Sequence, residues 1–277
     1  MVSTVQLKPS PLLQPYVSCY ALREFTAETA MIKPHYAQPE YYLTFVFRRG
    51  ERCDLIDESG KFKLEIHNTL VTLITEYMGY MDFKGDFSFL SVVFKANGLF
   101  AIFGIPQKIL INTIINTEDI LGNDYRLLTE QLGSSTEIHQ MAGYLDTYLL
   151  KKLLSRKQKF YTATIAAVSN CILNNKGLAS IDTLASDSNM GFRNFERRFV
   201  EGIGIPPKLY IRITRFYNAI QYKMVHPEKS WTDIAYYHGY YDQSHFIKDS
   251  KEFCSRSPED LFKHTPPPPE NFIDLKA

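Results

Sequence analysis

The sequence predicts an α+β chain of two domains. A β-rich N-terminal domain ends in helices, and an all-α domain of two helix-turn-helix units joined by a linker helix follows it. Three observations carry this reading. Residues 1–125 hold short aromatic and β-branched runs separated by close turns. From residue 124 the apolar residues recur at threes and fours. Two similar units of short helix, turn and polar helix lie about 50 residues apart, at 180–204 and 230–258.

The bulk numbers fit this reading. A chain of 277 residues has room for two ordinary domains, and 45% hydrophobic with 22% charged residues is a globular composition. No run approaches the roughly 18 apolar residues of a membrane span, and residues 1–10 carry no basic-then-apolar leader. A cytoplasmic location without membrane contact is expected. Cys19, Cys53, Cys171 and Cys254 are far apart, without CxxC spacing; they read as reduced thiols. His35, His67 and Glu76 form no spaced ligand set, so neither a metal nor a cofactor is expected. The net charge of +1 hides an asymmetry: residues 156–264 hold 16 Lys and Arg against 11 Asp and Glu, the remainder 15 against 19. The C-terminal part is therefore the candidate for a polyanionic partner.

In chain order, residues 40–47 (EYYLTFVF), 68–75 (NTLVTLIT) and 87–95 (FSFLSVVFK) read as strands. Asp57, Glu58, Ser59 and Gly60 form a hairpin turn between 53–56 and 62–66. Together these suggest a sandwich or small barrel. GLFAIF (98–103) reads as a short helix stopped by Gly104 and Pro106. Two helices follow, broken at 133–136, with Thr136 as a cap and Ile138, Met141, Leu145, Tyr148, Leu149 and Leu153 as the stripe of the second. That stripe either packs on its own sheet or forms a contact between two copies. A basic connection at 151–160 marks a boundary near residue 155, and Pro266 to Pro269 mark an extended tail over 266–277. Tyr41, Tyr42, Phe45 and Phe47, with Tyr77, Tyr80 and Phe83, could line an apolar effector pocket; alternation along a half-buried sheet explains them as well and is the favoured reading.

In the C-terminal domain a helix over 162–173 precedes the first unit. There Ile181, Leu184 and Ala185 are the buried positions of the short helix and FRNFERRFVEG (192–202) is the polar helix. A linker helix from Pro207 to Val225 buries Leu209, Ile213, Phe216, Ile220 and Met224. The second unit has Trp231, Ile234 and Ala235 on its first helix and a turn at Gly239. Asp242 is its N-cap, Phe246 and Phe253 its buried pair, and Pro258 opens a last helix.

These residues carry a resemblance. IAYYHGYYDQSHFIKDSKEF, ending in SPEDLFK, and MGFRNFERRFVEGIGIPPKLYIRITRFYNAI resemble the AraC/XylS family of transcription regulators over about residues 159–264. Lys248, Ser250, Ser255 and Gly191 stand where Arg, Phe, Gly and a capping Ser are usual. Lys248 loses a bidentate fork, and Ser250 should loosen the packing of the second polar helix. PSPLLQPYVSCYAL and VVFKANGLFAIFGIPQKILIN resemble the poorly characterised N-terminal domain of a subset of such regulators, which are thought to be sensory or to dimerise.

The resemblance implies that residues 156–265 bind double-stranded DNA, with both polar helices in successive major-groove segments about 34 Å apart. Arg193, Asn194, Glu196 and Arg197 on the first, and Gln243, Ser244, His245 and Lys248 on the second, are the candidate base-side residues. Arg can chelate guanine, Glu can accept from cytosine and Gln can pair with adenine. Arg198, Lys208, Arg212 and Lys251 suit the phosphate backbone. Residues 1–155 would bind an effector or dimerise, with RNA polymerase and a second copy as further candidate partners. A second reading is a ligand-binding or protein-interaction module with degenerate DNA binding, for which Ser250 and Ser255 speak. A third, an N-terminal catalytic barrel, lacks any GxSxG, Walker or HExxH motif, and no catalytic residue is assigned.

Overall fold

The computed structural model describes residues 2–26, 31–48, 52–57, 59–65, 68–121, 123–156 and 161–264. His67, residues 157–160 of the basic connection and the proline-rich tail lie outside the described residues.

The N-terminal part is two antiparallel sheets. Its strands are β1 (Val2–Leu7), β2 (Val17–Phe25), β3 (Met31–His35), β4 (Tyr41–Arg48), β5 (Arg52–Ile56), β6 (Phe62–Glu65), β7 (Thr69–Val71), β8 (Gly79–Lys84), β9 (Phe87–Phe94) and β10 (Ile114–Asn116). One sheet has the order β1-β2-β9-β4-β7-β10, the other β3-β8-β5-β6. β4, β9 and the β5–β6 hairpin form where the sequence predicts them. In the hairpin turn, Asp57 Oδ1 accepts from the Ser59 and Lys61 amides at 2.9 and 3.0 Å. β7 is shorter than expected. β3 and β8 escape pattern reading because Pro34, Gly79 and Asp82 are poor strand formers, and their pairing comes from the sheet around them.

Alternation sends the residues of β2, β4 and β9 to two different cores. Cys19, Ala21, Tyr42, Phe87, Phe89 and Val93 meet Cys53, Leu55, Met81 and Phe83 of the second sheet. Tyr20, Tyr41, Leu43, Phe45, Leu90, Val92 and Phe94 face the helices instead. β9 is covered on both faces, so all eight of its residues are buried.

The helices are α1 (Gly98–Phe103), α2 (Glu118–Leu121), α3 (Asn123–Gly133), α4 (Ile138–Leu154), α5 (Tyr161–Asn174), α6 (Ile181–Asp187), α7 (Phe192–Ile203), α8 (Pro207–Val225), α9 (Trp231–Tyr237), α10 (Gln243–Cys254) and α11 (Pro258–His264). The α4 stripe of Met141, Leu145, Tyr148, Leu149 and Leu153 is buried within the chain's own core, so the idea of a contact between copies through this face is dropped. Asp146, on the same helix, accepts from Tyr20 Oη at 2.7 Å and from the Ser10 amide at 3.0 Å.

The segment between β3 and β4 joins the sheets to the C-terminal helices. Tyr41 Oη donates to the Ile203 carbonyl at 2.9 Å and Tyr210 Oη to the Pro39 carbonyl at 3.1 Å. The Ala37 amide donates to the Phe253 carbonyl at 3.1 Å, and the Tyr36 ring meets Phe216 edge-on at 6.0 Å. Gly204 caps α7 at φ +98°, a left-handed conformation that strains any residue with a Cβ.

Candidate nucleic-acid interface and inter-sheet cavity

α7 and α10 are the polar helices of the two units, and α8 lies between them in sequence. Phe195 and Phe199 bury one face of α7, the latter 5.8 Å from the Tyr210 ring of α8. The opposite face leaves Arg193, Asn194, Glu196 and Arg197 exposed. Arg197 Nη2 donates to Asn194 Oδ1 at 2.8 Å, and Arg198 pairs with Glu201 at 2.9 Å. Gly191, the residue before α7, provides no side-chain cap.

α10 starts on Asp242, whose Oδ1 accepts from the His245 amide at 2.7 Å. Phe246 and Phe253 are fully buried against Phe216 of α8, at 6.5 and 5.5 Å. Ser244, Lys248 and Lys251 are exposed, while Gln243 and His245 are half-buried. Gln243 Oε1 accepts from Thr232 Oγ1 at 2.9 Å, and His245 stands edge-on to Tyr240 at 5.2 Å. Trp231 packs on Phe246 and Phe262. Two exposed aromatics that sequence reading did not single out flank these faces: Phe192 opens α7, 47% exposed, and Tyr241 precedes the cap of α10, 86% exposed.

Arg212 is a correction. It does not project free guanidinium donors for a phosphate. Nε and Nη2 donate to Asp249 at 3.2 and 2.7 Å, and Nη1 and Nη2 to Glu252 at 3.1 and 2.6 Å. Asp249 is 1% exposed, and its charge is what ties Arg212 down. The pair clamps α8 to α10, with the guanidinium 5.0 Å from the Phe253 ring centre. Lys208 of α8 is exposed.

Ser250 does not loosen α10. It is fully buried, and its hydroxyl donates to the Arg256 carbonyl at 2.8 Å, closing the helix end. Ser255 takes the left-handed cap conformation, φ 59°, where a Cβ is strained. Ser255→Gly is therefore expected to stabilise the chain by about 0.5–1 kcal/mol, read as a rise in thermal midpoint.

The second site lies between the sheets. A cavity of about 50 Å³ (the space open to the centre of a water molecule) is lined by Arg23, His35, Gln38, Tyr42, Thr44, Val46, Cys53, Thr69, Val71, Met81, Phe83, Phe87, Phe89 and Ser91. Of the seven aromatics named from the sequence, Tyr42 and Phe83 reach it. Tyr41, Phe45 and Phe47 point to the opposite face of the same strand, where Phe45 stacks on Tyr125 at 5.5 Å. The period of two required this split. The same period puts Arg23 inward with Cys19 and Ala21, a charged residue at a core position that sequence reading passed over.

Beside the cavity lies Glu40, 2% exposed, whose Oε1 accepts from Ser18 at 3.2 Å and Oε2 from Tyr42 at 3.4 Å. Burial pushes its carboxyl up to about 7, against those hydrogen bonds and the Lys95 and Arg23 charges. Among the described residues, no cluster of His, Cys, Asp and Glu could hold a metal, and no helix is long and apolar enough to cross a membrane.

Residues 184–264 match the family model described as a helix-turn-helix domain, and residues 5–116 that of a domain of unknown function, DUF6597. The helix-turn-helix match spans α7 to α11 and most of α6. No curated protein matches it. Among solved structures it is similar to ToxT from Vibrio cholerae O395, at 15% identity over 89% of this chain and 97% of that chain, TM-score 0.44. ToxT from Vibrio cholerae O395 bound to (E)-4-(8-methylnaphthalen-1-yl)but-3-enoic acid matches at 15% identity over 94% of this chain and 98% of that chain, TM-score 0.43. Unsaturated fatty acid-bound wild-type ToxT from Vibrio cholerae strain SCE256 matches at 15% identity over 87% and 98%, TM-score 0.42.

Proposed function

We propose that the chain is a sequence-specific DNA-binding transcription regulator controlled by a small molecule held between its N-terminal sheets. The observation that carries the first half is the pair of helices α7 and α10. Each buries two Phe rings on one side and exposes donors on the other, and both pack against α8. α8 has 19 residues, a rod about 28 Å long, which suits two readers about one DNA turn apart. Arg193, Asn194, Glu196 and Arg197 would read one groove segment and Gln243, Ser244 and Lys248 the next. Phe192 and Tyr241 suit thymine methyl groups. Lys208 and Lys251 would hold phosphates, whereas Arg198 and His245 are tied up locally and contribute less.

The second half rests on residues 35–42. His35, Gln38 and Tyr42 line the cavity, while Tyr36, Ala37, Pro39 and Tyr41 contact α7, α8 and α10. An occupant that moves the first set moves the second, which gives binding a physical route to the DNA readers. The test is selection of genomic fragments by the full chain, followed by footprinting. Two protected segments about 10 bp apart on one face are expected. A chain that enriches no fragment even at low salt, where phosphate attraction is strongest, would contradict the reading.

A further inference from the structure

The cavity between the sheets holds a cation and no anion. Arg23 is 4% exposed, and its Nε and Nη2 have no hydrogen-bond partner. No ion pair joins it to an acid among the described residues, and none of the cavity's lining residues is Asp or Glu. Glu40 is close enough to feel the Arg23 charge, but no Arg23 nitrogen comes within ion-pair distance of its oxygens, which accept from Ser18 and Tyr42. A buried guanidinium without a counter-ion is costly, and native chains keep such groups where a partner completes them.

The two free nitrogens share one edge of the guanidinium plane. Nε–H and Nη2–H point the same way, at the spacing of the two oxygens of a carboxylate. Gln38 Nε2 is a third buried donor without a partner on the same wall. The rest of the wall is apolar: Val46, Val71, Met81, Phe83, Phe87 and Phe89. The Phe83 ring meets Phe87 edge-on at 5.2 Å and stacks near Phe89 at 6.5 Å. A volume of about 50 Å³, where about 10–15 Å³ holds one water, fits a single ring or a short branched chain. It does not fit a long extended tail.

We infer that this cavity binds a small monocarboxylate with an aromatic or branched apolar body, its carboxylate paired side-on with Arg23 and its body among Phe83, Phe87, Phe89 and Met81. This names the chemistry of the effector site proposed above and rests on that reading only for its regulatory meaning. Arg23 serves as counter-charge and orienting fork. Hydration of the free acid in water and the cost of the lone buried Arg23 set opposite signs on the exchange, and the bidentate pair decides it.

The test is calorimetric titration of the full chain with benzoate, phenylacetate and 3-methylbutanoate, with benzamide and hexadecanoate as contrasts. At least one of the three small acids is expected to saturate the protein with one site per chain. Benzamide and hexadecanoate should bind at least tenfold more weakly. Arg23→Gln should weaken the acid at least tenfold, and Arg23→Lys, which keeps the charge without the fork, should fall between. Arg23→Gln removes an unpaired buried charge, so without ligand it should melt no lower than the native chain, and a lost signal is then not lost folding. Failure of all three acids, equal binding to Arg23→Gln, or benzamide binding as tightly as benzoate would overturn the inference. The same preparations are assayed on the selected DNA without ligand. Failed titration with intact DNA binding sinks only the cavity assignment, and failed DNA binding with intact titration sinks only the regulator.

Discussion

Arg212→Ala is expected to destabilise the chain by about 3 kcal/mol while leaving the salt dependence of DNA binding unchanged. The stability cost comes from Asp249. At 1% exposure it depends on the guanidinium at 2.7 Å, and removing one member of a buried pair strands the other's charge. Adding Asp249→Asn to Arg212→Ala removes that stranded charge and should restore more than half of the loss. This non-additivity separates an ion pair from simple lost packing. A residue that contacts a phosphate contributes about one unit to the slope of log K against log salt. Arg212, committed to Asp249 and Glu252, should contribute none. Denaturant melts of the three variants check the first part and salt titrations the second. A slope lowered by about one unit would return Arg212 to the phosphate contacts that its sequence position suggested.

The second large effect is on pH dependence. Glu40 is raised from 4.5 to about 7 by burial, so the folded chain holds its proton where the unfolded chain has lost it. Stability from this group is therefore present below about 4.5 and is lost as pH rises through about 7. The shift corresponds to about 3 kcal/mol at pH 8. His238 works the other way. Burial, helped by the Lys176 charge, lowers it to about 4, so its contribution is lost as pH falls below its ordinary range. The two windows overlap, and the comparison that isolates Glu40 is native chain against Glu40→Gln. Chemical melts from pH 5 to pH 8 should show the native chain losing about 2–3 kcal/mol relative to the variant. Parallel curves would mean that the carboxyl is ionised throughout. Glu40 touches Tyr42 of the cavity and neighbours the contacts of Pro39 and Tyr41 with the C-terminal helices, so the same proton sits on the route between the two sites.

How much of this was legible in the sequence differs between the two halves. The C-terminal half is local: caps, turns and Phe spacing lie within a few residues of one another. Asp242, Gly239 and Pro258 each occupy the position their chemistry predicts. What local pattern could not supply was the partner of Arg212, 37 residues away. It also missed that Ser250 replaces a large apolar residue by a hydrogen bond to a carbonyl rather than by a hole. The N-terminal half is non-local. β2 pairs with β9 and β4 with β9 across long stretches of chain, and strands such as β8 have no strong pattern of their own. The candidate pocket from sequence, which also took in Phe83 of the cavity wall, grouped four neighbouring aromatics of β4, although alternation assigns Tyr41, Phe45 and Phe47 to one face and Tyr42 to the other. Parity along VSCYALREF was the available signal for Arg23.

The central claim is that the exposed face of α7 reads bases. It is tested most directly by the affinity of the full chain and of Arg197→Ala for the selected operator and for a scrambled duplex of equal length, at fixed salt. Loss of a bidentate base contact predicts about 1–3 kcal/mol weaker operator binding, on the order of 5- to 150-fold, with scrambled binding changed far less. Equal affinity of both proteins for the operator, or the same loss on both duplexes, would contradict it.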